Sequence, residues 1–561
     1  MPALPSTQHA LQLVGPGKLR LNTQKEVIPP GPRQILARVE AVGLCFSDMK
    51  LLKQFAEHPR KVDIVKGLPL DVLRGIPSYA PNERPTVPGH EVCCRIVAVG
   101  AEVTRHRVGE RCMVQADFRE LRTPIANGAF GYNFEGALQE YVLMDERVVI
   151  EPSTGDRYLI PVPDALSASA IALVEPWACV ENSYSSPERR TLKGGGRLLV
   201  VAEAGHAVEG LAGIAAPPNR PASLAACCAE DAQRRALASL GIPVTEAGSP
   251  ASLPDEAFDD IVYFGAKKAA LDLLNDKLGI GGFINVVTGG RRIGAPVSVG
   301  VGRVHYAQTR WIGTPTASAA DSYRSVPATG ELRPGDSVVV VGAGGPMGQM
   351  HVLRSVCSGI AGITVTGTDV DDARLEMLAR KASPPAGERG VDLRLLNTRK
   401  SPLKEKSTYF SLMAPVAVLV ADAIRDSRNN ALINIFAGIP APTRHDLDLD
   451  AYIERQCYMF GTSGSLIRDM KAVLSKVERG RLDTNLSVDA VAGMAGAVDG
   501  LAAVENRVMQ GKIIIYPQLH DLGLTPLSEM GRRLPSVAAK LANGFWTPAA
   551  EEELLRAAAG A

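Results

Sequence analysis

The chain has 561 residues, too many for one ordinary domain, and at roughly 150 residues per domain it should hold three or four units. Lys+Arg 61 against Asp+Glu 60 leaves a net charge of +1 with no long single-sign run, which excludes the electrostatic footprint of a nucleic-acid binder. Hydrophobic residues at 46% and charged residues at 22% exclude a disordered chain, and no stretch reaches the ~18 apolar residues that would span a bilayer. The nine cysteines form no CxxC pair, so a disulfide framework is not expected and the compartment should be reducing. The N-terminus lacks a basic segment followed by an apolar one, and a cytoplasmic protein with no membrane partner is expected.

In chain order, the first stretch carries short β-type runs broken by Gly and Pro: QILARVEAVGL (34–44), EVCCRIVAVG (91–100), GERCMVQADF (109–118) and ALQEYVLMD (137–145). They read as an all-β unit over 1–165. Apolar runs then alternate with helical stretches. RLLVVA (197–202), DDIVYFG (259–265) and SVVVVGAGG (337–345) have the near-continuous hydrophobicity of parallel strands buried on both faces. Two α/β domains are expected, over 166–326 and 327–500, followed by a return of 501–561 to the β unit through GKIIIYP (511–517).

The two α/β segments read as copies. The segment from Ala178 aligns with that from Ala317, placing Tyr184 on Tyr323 and Leu192 on Leu332 at an offset of 139 to 140. Further on, GGFINVVTGG (281–290) aligns with NALINIFAGI (430–439) at 148 to 149. A period this long is a duplicated domain rather than a solenoid.

In the second copy, VVVVGAGGPMG places Gly342, Gly344, Gly345, Met347 and Gly348 where a first strand turns into its helix, the position at which backbone N–H groups meet a pyrophosphate. Asp369 ends the next strand, about 20 residues on, where a carboxylate accepts from ribose hydroxyls and repels a 2′-phosphate. NAD is expected in preference to NADP. In the first copy Ala202 and Ala204 replace two of these glycines and Cys228 stands opposite Asp369, so this copy is expected to be structural.

In the β unit, GLCFSD (43–48) and PGHE (88–91) supply a thiol, an imidazole and a carboxylate, and VEPWACVENSY (174–184) adds Glu175. A catalytic zinc takes about three such ligands and keeps one position open. Taken together and in this order, these motifs resemble the zinc-dependent medium-chain dehydrogenase/reductase family. The likeness is greatest to its polyol branch, which includes sorbitol dehydrogenase and sorbose-1-phosphate reductase. The resemblance implies an α/β protein with an all-β part: a GroES-like catalytic domain plus two tandem Rossmann-like, doubly wound parallel sheets. It also implies that Cys45, His90, Glu175 and the ligating or backing Glu91 hold the metal, that Ser47 relays the substrate proton, and that Asp48 orients His90.

Residues 113–140 contain no Cys, so one zinc is expected rather than two. An insertion at about 53–84 separates Cys45 from His90 and offers a lid, a substrate clamp, an oligomer contact or a merely decorative loop. The function expected is zinc- and NAD(H)-dependent interconversion of a secondary alcohol and a ketone on a small polyol or sugar. The alternatives are reduction of a phosphorylated ketose and a non-catalytic nucleotide sensor on the same scaffold. Family members pair through Rossmann edge strands, so a homo-oligomer is possible, or else the degenerate copy covers that edge within the chain.

Overall fold

The computed structural model describes residues 4–559, which divide into two compact units, Met1–Glu181 with Gly464–Ala561, and Asn182–Ser463. The first unit is built on an eight-stranded sheet. Its path runs Thr525–Pro526, Val488–Ala492, Lys512–Ile515, Gln34–Gly43, Glu91–Val99, Arg111–Val114 and Leu159–Pro161, with Tyr141–Asp145 also pairing on Gln34–Gly43. The long pairing of Gln34–Gly43 with Glu91–Val99 is antiparallel and sets Gly43 opposite Glu91.

The chain re-enters this unit earlier than the sequence division at 500/501, because Val488–Ala492 pairs with Lys512–Ile515. It also leaves later than 165. Trp177 Nε1 donates to Ser487 Oγ at 3.0 Å, and Ser169 N donates to Glu551 at 2.8 Å. These buried polar contacts tie the helices Ala168–Ala172 and Val174–Ser185 to C-terminal residues of the same unit.

The second unit contains two six-stranded sheets of one topology. In strand order the first is Val244–Glu246, Ser223–Cys228, Arg197–Ala202, Phe258–Phe264, Leu278–Val287, Arg310–Thr314. The second is Asp392–Asn397, Thr364–Asp369, Ser337–Val341, Ser407–Leu412, Ser427–Ile435, Tyr458–Phe460. All neighbours are parallel, and the order 3-2-1-4-5-6 is that of a doubly wound dinucleotide-binding sheet. Both sheets carry a register irregularity at the same place, after Phe258 in one and after Ser407 in the other.

The copies differ where a nucleotide would sit. In the second, Ser337–Val341 feeds an eleven-residue helix, Pro346–Val356. In the first, the helix after Arg197–Ala202 shrinks to Leu211–Ile214. It starts behind Gly210 at φ 76° and cannot pass Pro217 and Pro218, whose rings forbid continuation.

The edge strands of the two sheets face each other. Tyr452 Oη donates to Trp311 O at 2.8 Å, and Val297–Val299 pairs antiparallel with His445–Leu447, one strand from each copy. Apolar residues of both copies, among them Trp311, Val304, Tyr452 and Met459, share one core. The edge expected to serve an oligomer is thus covered inside the chain.

Glu188 locks this junction. It accepts from Arg310 Nε and Nη2 at 2.9 Å each and from Tyr458 Oη at 2.5 Å, with the Glu188 and Arg310 side chains 6% and 5% exposed. Glu188→Ala strands a buried guanidinium and is expected to cost about 3–5 kcal/mol, read by urea unfolding. A loss below 1 kcal/mol would contradict the lock.

Nearby, His351 is buried against Tyr184 Oη at 2.8 Å. Burial, then the neighbouring Arg354, push its pKa down from 6.5 to about 3. The folded value lies below the unfolded one, so its contribution to stability is present above about pH 6.5 and is lost as pH falls towards 3. Between pH 7.5 and 5.5 this amounts to about 1.3 kcal/mol. Urea titrations at the two pH values should show it, and a His351→Gln chain should lack it.

Candidate functional site

Cys45 caps the helix Phe46–Gln54, and the Asp48 carboxylate turns back to accept from Cys45 N at 3.0 Å. This capping fixes the thiol at the end of the strand Gln34–Gly43. Glu91, across the sheet, needs Gly43 opposite it, since a Cβ there would stand 2.2 Å from Glu91 Oε2. His90 Nδ1 contacts Asp48 Oδ1 at 3.2 Å and its Nε2 contacts Ser47 Oγ at 3.2 Å. Burial opposes the imidazolium, but the Asp48 carboxylate outweighs it and raises the His90 pKa well above 6.5.

Cys45 Sγ, a ring nitrogen of His90 and a carboxylate oxygen of Glu91 lie within 4.8 Å of one another. Glu91 is fully buried. Its Oε1 accepts from Lys512 Nζ, while Oε2 has no hydrogen-bond partner. Burial raises the Glu91 pKa; Lys512 opposes that and Glu175 adds to it. Although burial disfavours its charge, Lys512 is held protonated by Glu91 and, beyond it, Cys45 and Glu175. Glu175 stands in the first turn of Val174–Ser185, accepting from Cys179 Sγ at 3.6 Å. It faces Glu91 electrostatically but lies outside the three-residue cluster. A thiol, an imidazole and a buried carboxylate with one oxygen unclaimed fit a borderline-soft divalent ion such as zinc.

Sequence reasoning missed three neighbours of this cluster. Lys512 was read only as the start of a strand, although a lysine that opens so apolar a run needs a buried partner. Tyr132, with its ring 5.9 Å from that of His90, and Arg60, 5.9 Å from the Tyr132 ring centroid, come from elsewhere in the chain. No local spacing announces either residue.

The second copy builds the other candidate site. Gly342 turns at φ 79°, and its N–H and that of Ala343 donate to Thr368 O at 2.9 Å each. Gly344 N donates to Asp369 Oδ2 at 2.9 Å, and its carbonyl is held by Gln349 Nε2 at 3.0 Å. A Cβ on Gly348 would stand 2.2 Å from Gly342 O, so only glycine lets the helix pack this close to the strand. Gly345 is the N-cap of Pro346–Val356 and offers no side-chain cap, which leaves the first-turn N–H groups for an anion. Met347, half-buried, lies in the same first turn.

Residues 31–154 match the alcohol dehydrogenase GroES-like domain family. The chain is 28% identical over 349 residues to L-sorbose 1-phosphate reductase of Klebsiella pneumoniae, covering 57% of this chain and 78% of that protein. It is 24% identical over 342 residues to YggP, an uncharacterized Escherichia coli protein, covering 55% and 75%. The NADP-dependent alcohol dehydrogenase C of Mycobacterium bovis is 27% identical over 179 residues; the match spans 28% of this chain and less than half, 41%, of that relative. In fold the chain resembles 2R,3R-butanediol dehydrogenase from Bacillus subtilis, with a TM-score of 0.51 and 14% identity, over 91% of this chain and 100% of that one. Among the described residues, no helix of this chain is long and apolar enough to cross a membrane.

Proposed function

We propose that this chain is a zinc- and NAD(H)-dependent oxidoreductase that interconverts a secondary alcohol and a ketone on a polyol or sugar-type substrate. The observation that carries the reading is the convergence of Cys45, His90 and Glu91 around an unclaimed, fully buried carboxylate oxygen. Cys45, His90 and a carboxylate from Glu91 or Glu175 would hold the metal. Gly342, Gly344, Gly345, Met347, Gly348 and Asp369 would hold the dinucleotide. When bound, zinc supplies Lewis-acid polarisation of the substrate oxygen and the dinucleotide supplies a hydride acceptor or donor.

The chain's own residues do the rest. Asp48 accepts from His90 Nδ1 and thereby leaves Nε2 as the ligating nitrogen. Lys512 compensates the buried charge of Glu91. Ser47 Oγ takes the proton of the substrate hydroxyl and passes it toward solvent. Asp369 accepts from the adenosine ribose, and its negative charge disfavours a 2′-phosphate. The sheet spanning 197–314 belongs to the degenerate copy, whose shortened helix leaves no anion cradle, and the sheet spanning 337–460 belongs to the working one.

The test is metal analysis combined with NAD reduction over a panel of polyols. One zinc per chain and polyol-dependent reduction of NAD in preference to NADP are expected. A metal-free chain that reduces neither dinucleotide would sink the reading and leave a nucleotide-binding scaffold.

A further inference from the structure

Arg60 belongs to the insertion between Cys45 and His90, and the backbone around it is tied down. Thr123 Oγ1 donates to Pro59 O at 2.8 Å and Asn133 Nδ2 to Val62 O at 3.1 Å. Lys61, fully buried, donates to the carbonyls of Asn82 and Arg84 at 2.9 and 2.8 Å and to that of Ala80. This stretch is a fixed wall rather than a lid.

From that wall the Arg60 guanidinium reaches Asp117 Oδ1 at a loose 3.6 Å, with its side chain 31% exposed. Among the described residues, none of its guanidinium N–H groups makes a hydrogen bond. The same Asp117 takes Arg119 Nε at 3.1 Å and accepts from Asn127 Nδ2 at 2.9 Å. Arg119 Nη2 also donates to Ser465 O at 3.3 Å, so the two guanidinium groups share one carboxylate, leave a unit of positive charge, and keep the Arg60 donors unmade. Arg60 lies near the candidate metal cluster. Arg60 is within electrostatic reach of Glu175 and Cys179, and Cys179 within that of Cys45. Arg60 also stands over Tyr132, whose ring neighbours His90.

We propose that Arg60 and Arg119, braced on Asp117, receive a phosphoryl group of the substrate, so that the enzyme acts on a phosphorylated polyol or ketose rather than on the neutral sugar. The inference rests on the oxidoreductase reading above and names its substrate class. The guanidinium fork matches phosphate oxygens two at a time and gains from their charge, whereas a neutral polyol offers only uncharged hydroxyl acceptors. Burial, then Arg60 and Lys50, push the His58 pKa down from 6.5 to about 4, so His58 is neutral at pH 7 and the two arginines carry the positive charge beside Asp117.

The test is calorimetric titration of the zinc-loaded full chain with sorbitol 6-phosphate, gluconate and sorbitol. The phosphate ester should bind at least about tenfold tighter than sorbitol. Arg60→Gln and, separately, Arg119→Gln should bring that ratio towards one, and Arg60→Lys should keep part of it. Zinc content shows that each variant is folded. A wild-type ratio near one, or a ratio unmoved by both glutamine variants, would overturn the proposal, and gluconate binding as tightly as the phosphate ester would overturn the phosphoryl assignment. Binding is read without turnover, so loss of NAD reduction with the ratio intact would count against the oxidoreductase reading and leave the arginine pair standing.

Discussion

Cys45→Ala and His90→Ala chains are expected to purify without zinc and to lose turnover by about a thousandfold or more. The two losses should come together because each residue is one corner of a cluster whose ligand atoms lie within 4.8 Å of one another. Removing the thiol leaves an imidazole and a carboxylate already engaged through one oxygen by Lys512, fewer than the about three protein ligands that a catalytic zinc takes. The scaffold should survive the change, since Asp48 still caps the helix Phe46–Gln54 through the backbone N–H of residue 45. Metal analysis and steady-state kinetics on the same preparation check this. A Cys45→Ala chain that kept full turnover after chelation would show that the zinc mechanism is wrong.

Gly344→Ala is expected to weaken NAD binding by about a hundredfold or more, while Ala204→Val, at the equivalent turn of the first copy, leaves the affinity where it was. The new Cβ at 344 would stand 2.5 Å from Arg374 Cβ and 2.9 Å from Asp369 Oδ2. Neither the turn nor the ribose-binding carboxylate could then keep its place. Ala204 is exposed and precedes a helix of only four residues, so it guards no cradle. Fluorescence titration with NADH reads both variants. An Ala204→Val chain that lost as much affinity as Gly344→Ala would make the first copy a cofactor site.

Much of this was legible in the residues themselves. Runs such as RLLVVA and SVVVVGAGG mark parallel strands because sheets covered on both faces need unbroken hydrophobicity, and the repeat followed from aligning them. The thiol and imidazole stood out because GLCFSD and PGHE, taken together and in this order, resemble the zinc-dependent dehydrogenases, and the structure brings Cys45 and His90 together with Glu91. The failures share a cause in long-range packing. Val488–Ala492 looks like any apolar segment, and it is its pairing with Lys512–Ile515 that assigns it to the first unit. Lys512 meets Glu91 from 421 positions away, a distance over which sequence spacing carries no information. The duplicated length has a plain physical effect: the edge strands Arg310–Thr314 and Tyr458–Phe460 of the two copies are held together within the chain through Glu188.

The central claim is that one metal cluster and one of two nucleotide-type folds do the chemistry. Equilibrium dialysis of the full chain against NAD, with zinc measured on the same sample, tests it most directly. One zinc and one NAD per chain are predicted; two tightly held NAD molecules, or NAD bound to a chain that takes up no zinc, would contradict it.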